Sequence, residues 1–179
     1  DDTSGGFTAT NNGVVDATLS VKTISFDEFG NYMAVTAKDD NTNTTGTCDV
    51  WDRGSDWSTR TNRFAESDST RVSFVDAHLS NDGLYLAWAR SDGSDGLCTI
   101  HFRSGASYDV TPQLSVVYKN VFPGYTSGTV SPCLNEDGSE LALMSPSTPN
   151  PRVIFFTRSG TDWIRSPKFI DLTNNVGDS

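Results

Sequence analysis

Cys133-Leu134-Asn135-Glu136-Asp137-Gly138-Ser139-Glu140-Leu141-Ala142-Leu143 reads as a short strand, a polar turn closing on glycine, and an apolar strand with alanine inside it. The pattern recurs at His78-Leu79-Ser80-Asn81-Asp82-Gly83-Leu84-Tyr85-Leu86-Ala87-Trp88. A third version runs from Ile24 to Val35, with Phe29 before Gly30 where the other two have Asp82 and Asp137. Asp or Asn followed by Gly supplies the positive φ that a tight hairpin demands. Gly83 and Gly138 are therefore expected at positive φ. The strand after each glycine is almost wholly apolar, as expected of a strand buried on both faces.

A second element follows each copy. Cys48-Asp49-Val50-Trp51-Asp52-Arg53-Gly54-Ser55-Asp56-Trp57 is matched by Cys98 to Tyr108 and by Val153 to Trp163. In each, a β-branched and aromatic strand ends in Arg (Arg53, Arg103, Arg158), a Gly turn follows, and an aromatic opens the next strand. Aligning the arginines places Cys48 on Cys98, at equivalent points of successive units. A disulfide needs Cα atoms within about 7 Å. Outward-splaying neighbours keep such a pair apart, so no Cys48–Cys98 bridge is expected. The third cysteine, Cys133, makes the number odd, and no CxxC pair indicates a zinc or redox site.

The spacing sets the architecture. Gly30 to Gly83 is 53 residues and Gly83 to Gly138 is 55. Each period holds four strand-like segments, the pattern of a β-propeller blade. No segment carries a 3.6-residue apolar stripe, so helix is expected to be scarce. The fold expected is all-β: three four-stranded antiparallel blades at residues 19–68, 69–126 and 127–174, plus a stray N-terminal strand in residues 1–18 and a tail at 175–179. Thr3-Ser4-Gly5-Gly6-Phe7 looks like the end of a further unit. Three blades do not close a ring, which takes 4–8. A second copy, giving six blades, or further sequence of the same precursor is expected to complete it.

The composite of x-x-Asp-Gly-x-x-Leu-Ala, a variable loop, and aromatic-x-Arg-x-Gly-x-x-Trp resembles the FG-GAP-type repeats of extracellular propellers, akin to the integrin α head. Gly138 to Trp163 carries it best, then Gly30 to Trp57; in the middle unit Tyr108 replaces the tryptophan. The resemblance covers roughly residues 19 to 170. TolB-like propeller repeats share the Asp-Gly-x-x-Leu-Ala half, and TolB-like and WD40-like repeats are the close rivals. All of these imply a propeller and none implies a reaction. Calcium-binding versions of the family carry alternating carboxylates in the turn. Here there are only Asp27 and Glu28, Asp82, and Glu136 and Asp137, fewer charged oxygens than the ion usually takes, so structural turns are expected, with calcium as the alternative.

The chain of 179 residues has 13 Lys+Arg against 23 Asp+Glu, a net charge of -10. Such a surface repels phosphate backbones and anionic lipid, which argues against nucleic acid as a partner. No apolar run reaches the roughly 20 residues that span a bilayer. The two histidines, His78 and His101, fall inside expected strands and read as packed rather than catalytic. No nucleophile elbow, phosphate loop or metal-ligand spacing is present.

Three polar loops, 38–46, 90–96 and 145–151, join the second and third strands of the units and are expected at one end of the module. Loops on a rigid scaffold are where binding usually resides. The candidate binding residues are Asp39, Asp40, Asp92 and Asp95, and Asn43 heads a glycosylation sequon. The Arg and aromatic rows suit either sugar binding or wedging between blades. The expected function is that of a non-enzymatic binding or structural module, extracellular or of a virion or filament, without cofactor. Its partner is a protein or its own copies, with glycan a further candidate. A glycan-active enzyme or its accessory domain, and a TolB-like periplasmic domain, are the alternatives.

Overall fold

The computed structural model describes residues 19–39, 45–92, 95–126, 128–145 and 151–172. The expected strand within residues 1–18 lies outside the described residues, as do Asp40 and Asn43. The first sheet contains β1 (Leu19–Phe26), β2 (Tyr32–Asp39), β3 (Gly46–Asp52) and β4 (Thr61–Asp68), side by side in chain order and antiparallel. The second contains β5 (Phe74–Leu79), β6 (Tyr85–Asp92), β7 (Asp95–Ser104), β8 (Ser107–Tyr108) and β9 (Leu114–Val117). A single helical turn, α1 (Tyr118–Val121), follows it. The third contains β10 (Ser131–Leu134), β11 (Glu140–Ser145), β12 (Arg152–Ser159) and β13 (Asp162–Asp171), again in chain order. These are three propeller-type blades, with the first strands β1 and β10 each packed against the first strand of the middle blade, β5. No helix among the described residues is long and apolar enough to cross a membrane.

The turns behave as their residues dictate. Gly30, Gly83 and Gly138 have φ of 64°, 65° and 63°. Three positions before each glycine stands a polar side chain that holds the turn. Asp27 Oδ1 accepts from Tyr32 N–H at 2.8 Å, Ser80 Oγ from Tyr85 N–H at 3.0 Å, and Asn135 Oδ1 from Glu140 N–H at 2.8 Å. Different residue types thus do one job. Asp82 and Asp137 likewise accept from Leu84 and Ser139 N–H. One carboxylate oxygen of each of Asp27, Asp82 and Asp137 thus holds its own turn.

The middle strand β6 is buried from Tyr85 to Ser91, which explains its lack of alternation. Tyr85, Ala87 and Ala89 join a core with Leu134, Leu141, Leu143, Ile154 and Phe156 of the third blade. Leu86 and Trp88, on the opposite face, join a core with Ala34, Cys48, Val50 and Phe64 of the first. Burying a large apolar side chain contributes about 2–3 kcal/mol, so both blade junctions are held by apolar packing.

Two departures have local causes. The fourth strand of the second blade is split: β8 pairs with Arg103 and Ser104, and pairing resumes at β9 beside Leu97 to Ile100. Pro112 lies in the gap and has no N–H to give a ladder. In the first blade Trp57 does not open a strand. It begins a short 3₁₀ turn, Trp57–Thr59, capped by Asp56 through Ser58 and Thr59 N–H. The loop expected at 90–96 is also largely strand, since β6 runs to Asp92 and β7 starts at Asp95.

Candidate functional site

At the end of the module where strands two and three of each blade connect, Asp92 and Asp95 face each other across the β6–β7 register. Asp92 is exposed and accepts from Ser73 Oγ at 2.6 Å. Asp95 pairs with Arg71 at 2.9 Å and its side chain is 48% exposed. Both remain presented to solvent. Asp39 differs: β2 extends through it and the residue is only 8% exposed, so it is withheld from a ligand.

Behind these aspartates runs a polar network that sequence reasoning did not single out. Asp68, at the end of β4, accepts from Thr70 N–H and Oγ1, from Arg71 N–H and Nη1, and from Arg90 Nε. Burial alone would raise its pKa. The hydrogen bonds from Thr70, Arg71 and Arg90 win and hold it well below the usual carboxylate range. Arg90 is buried, lies 3.8 Å over the Trp88 ring, and donates from Nη1 to Thr99 Oγ1 at 3.0 Å. Thr99 Oγ1 is in turn 3.0 Å from His101 Nε2, while His101 Nδ1 is 2.9 Å from the Asp109 carbonyl.

That last pair fixes the tautomer. A carbonyl can only accept, so Nδ1 carries the proton and Nε2 accepts from the threonine hydroxyl. Burial pushes the His101 pKa down to about 4. Because the folded value lies below the unfolded one, this group withdraws stability as pH falls from about 6.5 toward 4. The His101 ring signals in an NMR titration are expected to stay put from pH 8 to 5 and to move only near 4.

The inner strands carry a second polar set. Leu79 N–H donates to Ser25 Oγ at 3.0 Å, and Leu134 N–H to His78 Nδ1 at 3.2 Å. Ser25 and His78 occupy equivalent positions, so each ties one blade to the next. Asp76, two residues before His78, is raised by burial and hydrogen-bonded by Ser131 and Thr23.

Two further carboxylates titrate high. Burial lifts Asp49 to about 6 and raises Glu66. They do not converge. Glu66 is paired with Cys48, the neighbour of Asp49, so the two acids lie on opposite faces of the first sheet. Among the described residues no group of three or more His, Cys, Asp or Glu is placed to hold a metal ion.

The three cysteines are free thiols; Cys48 and Cys98 are buried and Cys133 is exposed. Burial raises the Cys98 pKa to about 12. Iodoacetamide is expected to modify Cys133 in the native protein, and Cys48 and Cys98 only after denaturation, as read by intact mass.

Two of the three repeated Arg and aromatic pairs wedge between blades. Arg103 lies 4.4 Å over the ring of Tyr32, and Arg158 lies 4.6 Å over that of Tyr85. Tyr108 meets Tyr32 edge-on at 6.5 Å, and Trp163 meets Tyr85 at 6.4 Å. In each case Arg and aromatic come from one blade and the clasped tyrosine from the blade before it. Arg103 also pins Gly83 and Gly105 carbonyls, and Arg158 the Gly160 carbonyl. The signal for the tyrosines was in the sequence, two residues after Gly30 and Gly83.

No protein-family model matches the chain, and no curated protein is similar to it in sequence. Solved structures of similar shape include TolB from Acinetobacter baumannii, 17% identical with a TM-score of 0.48 over 83% of this chain and 32% of that one. A prolyl endopeptidase is 12% identical, with a TM-score of 0.49 over 83% of this chain and 21% of that one. The β-propeller domain of Cps50 (Swd1) from Myceliophteria thermophila is 12% identical, with a TM-score of 0.48 over 87% of this chain and 44% of that one. The chain thus spans less than half the length of each. At these scores the likenesses carry no activity or partner over to this chain, and the FG-GAP resemblance finds no matching family model.

Proposed function

We propose that this chain is a non-catalytic interaction module, a scaffold of propeller-type blades that presents Asp92 and Asp95 to a basic protein surface. The observation that carries this reading is that groups suited to catalysis are engaged in holding blades. His101 is neutral between Thr99 and Asp109, and His78 accepts the Leu134 N–H. The high-titrating acids Asp49 and Glu66 point to opposite faces. A net charge of -10 suits an extracellular, virion or filament setting, where solubility and rejection of anionic surfaces both matter.

The test uses a zero-length carbodiimide, which couples a carboxylate to a lysine amine, on the native material that contains the protein. Adducts joining Asp92 or Asp95 to a partner's lysine are expected, and their loss in Asp92→Asn/Asp95→Asn. The reading fails if no such adduct forms, or if the purified chain hydrolyses glycosides and Asp49→Asn or Glu66→Gln abolishes that turnover.

A further inference from the structure

The two blade junctions follow one rule. A tyrosine two residues after the turn glycine of one blade is enclosed by three groups of the next: its turn glycine, its Arg and its aromatic. A Cβ on Gly83 would lie 3.0 Å from the Tyr32 ring, and one on Gly138 would lie 2.2 Å from the Tyr85 ring. The glycines are therefore the floor on which each ring rests.

The first blade carries the same three groups, Gly30, Arg53 and Trp57, with no tyrosine ring among the described residues between them. A Cβ on Gly30 would meet nothing within 4 Å. Arg53 reaches Asn31 Oδ1 at 3.4 Å and, among the described residues, stacks on no ring. Trp57 instead meets Phe26 of its own blade edge-on at 5.7 Å. Ile24 and Phe26, on the same face, are 50% and 49% exposed. On the same face Met33, Ala37, Thr47 and Asp49 are buried, so what is open is its β1 margin at Ile24 and Phe26.

The third blade carries the opposite half of a junction in altered form. Register puts Cys133 beside Ala142, and Ala142 beside Phe155, on the face turned away from the second blade. Glu140 is exposed at the position of Tyr32 and Tyr85. Cys133 stands at the position of Ser25 and His78, which accept N–H groups from the following blade. Phe26 of the first blade stands at the position of the donors, Leu79 and Leu134. If the rule is extended by one step, Glu140 falls on Arg53, an acid on a base where the inner junctions have ring on guanidinium.

We propose that the chain associates head to tail with a second copy of itself, the third blade of one against the first blade of the next, with Glu140 facing Arg53. This rests on the scaffold reading above and names its own copy as the partner at the turn end. Two copies, each of net charge -10, repel at long range. At about 0.15 M salt the screening length is about 8 Å, which leaves the close Glu–Arg contact as the specific term.

Sedimentation of the full 179-residue chain at physiological salt, from micromolar to several hundred micromolar, tests this. The wild type is expected to form dimers or longer arrays. Arg53→Glu and Glu140→Arg should each weaken association by roughly tenfold or more, and the double swap should restore it. Glu140→Tyr, which supplies the ring found at the inner junctions, should tighten association by about tenfold. Circular dichroism checks that each variant is folded. Alkylation of Cys133 should slow as the wild type assembles. A wild type that stays at 19.4 kDa throughout overturns the proposal, even if Glu140→Tyr associates, because the socket would then belong to another chain's aromatic. Failure of the double swap to restore association overturns it equally. Cross-links at Asp92 and Asp95 report the scaffold reading separately, whatever the sedimentation shows.

Discussion

Gly138→Ala should cost about 3 kcal/mol or more of stability, whereas Gly30→Ala should cost about 1 kcal/mol. The two glycines have the same backbone, with φ of 63° and 64°, so the penalty for placing an L side chain there is common to both. What differs is the space. At Gly138 the added carbon would sit 2.2 Å from Cδ2 and 2.6 Å from Cγ of Tyr85, while at Gly30 it would meet nothing within 4 Å. Nor is the Tyr85 ring free to retreat. Arg158 covers it at 4.6 Å, Trp163 meets it at 6.4 Å and Phe102 at 5.1 Å. Overpacking of this kind costs about 1–3 kcal/mol, and it adds to the left-handed backbone term. Urea denaturation of the two variants at dilute, non-associating concentration separates these contributions. Equal losses would show that the junction yields to the extra carbon and that the glycine serves its turn alone.

The same pair shows what the sequence could disclose. The glycine turns, the strand count and the buried middle strand were legible because each depends on neighbours a few residues away. Asp-Gly makes a turn wherever it sits, and the apolar run of β6 has two buried faces, whereas that of β11 leaves Met144 exposed. Pro112 was a readable signal for the broken fourth strand, since it has no N–H to give a ladder. The solvent-facing position of Asp92 and Asp95 was legible from their place beside a polar turn. The low exposure of Asp39 was not legible, because the strand continues through it into what reads as loop. The clasped tyrosines were visible as letters, but their role depends on which side chains the next blade lays over them, some 70 residues later. Asp68 carries only a local turn signal, accepting from the N–H groups of Thr70 and Arg71 two and three residues on. Its partners come from the segment just after it and from β6, and only folding brings Arg71 and Arg90 to one carboxylate.

For that carboxylate, replacement by asparagine or alanine is expected to lose about 3–5 kcal/mol. Asp68 collects five hydrogen bonds, and two of its donors are guanidinium groups. Arg90 suffers most from its loss, because its side chain is only 8% exposed and cannot turn to water. Its Nε would lose its acceptor while Nη1 kept only Thr99 and the Trp88 carbonyl. The penalty is thus mainly that of a buried cation left without its counter-charge, not the worth of a surface ion pair. Asp92→Asn, which removes an exposed carboxylate bonded to a serine, is the control and should cost under about 1 kcal/mol. The pH dependence follows with a definite sign. The Asp68 pKa is lower folded than unfolded, so its contribution is complete above the unfolded value of 3.8 and is lost as pH falls through the lower folded value. Wild type and Asp68→Asn should therefore differ most above pH 4 and converge as acid protonates the carboxylate. Thermal or urea unfolding of both proteins between pH 7 and 2 measures this. A gap that stays constant across that range would mean that Asp68 acts through its hydrogen-bonding shape and not through its charge.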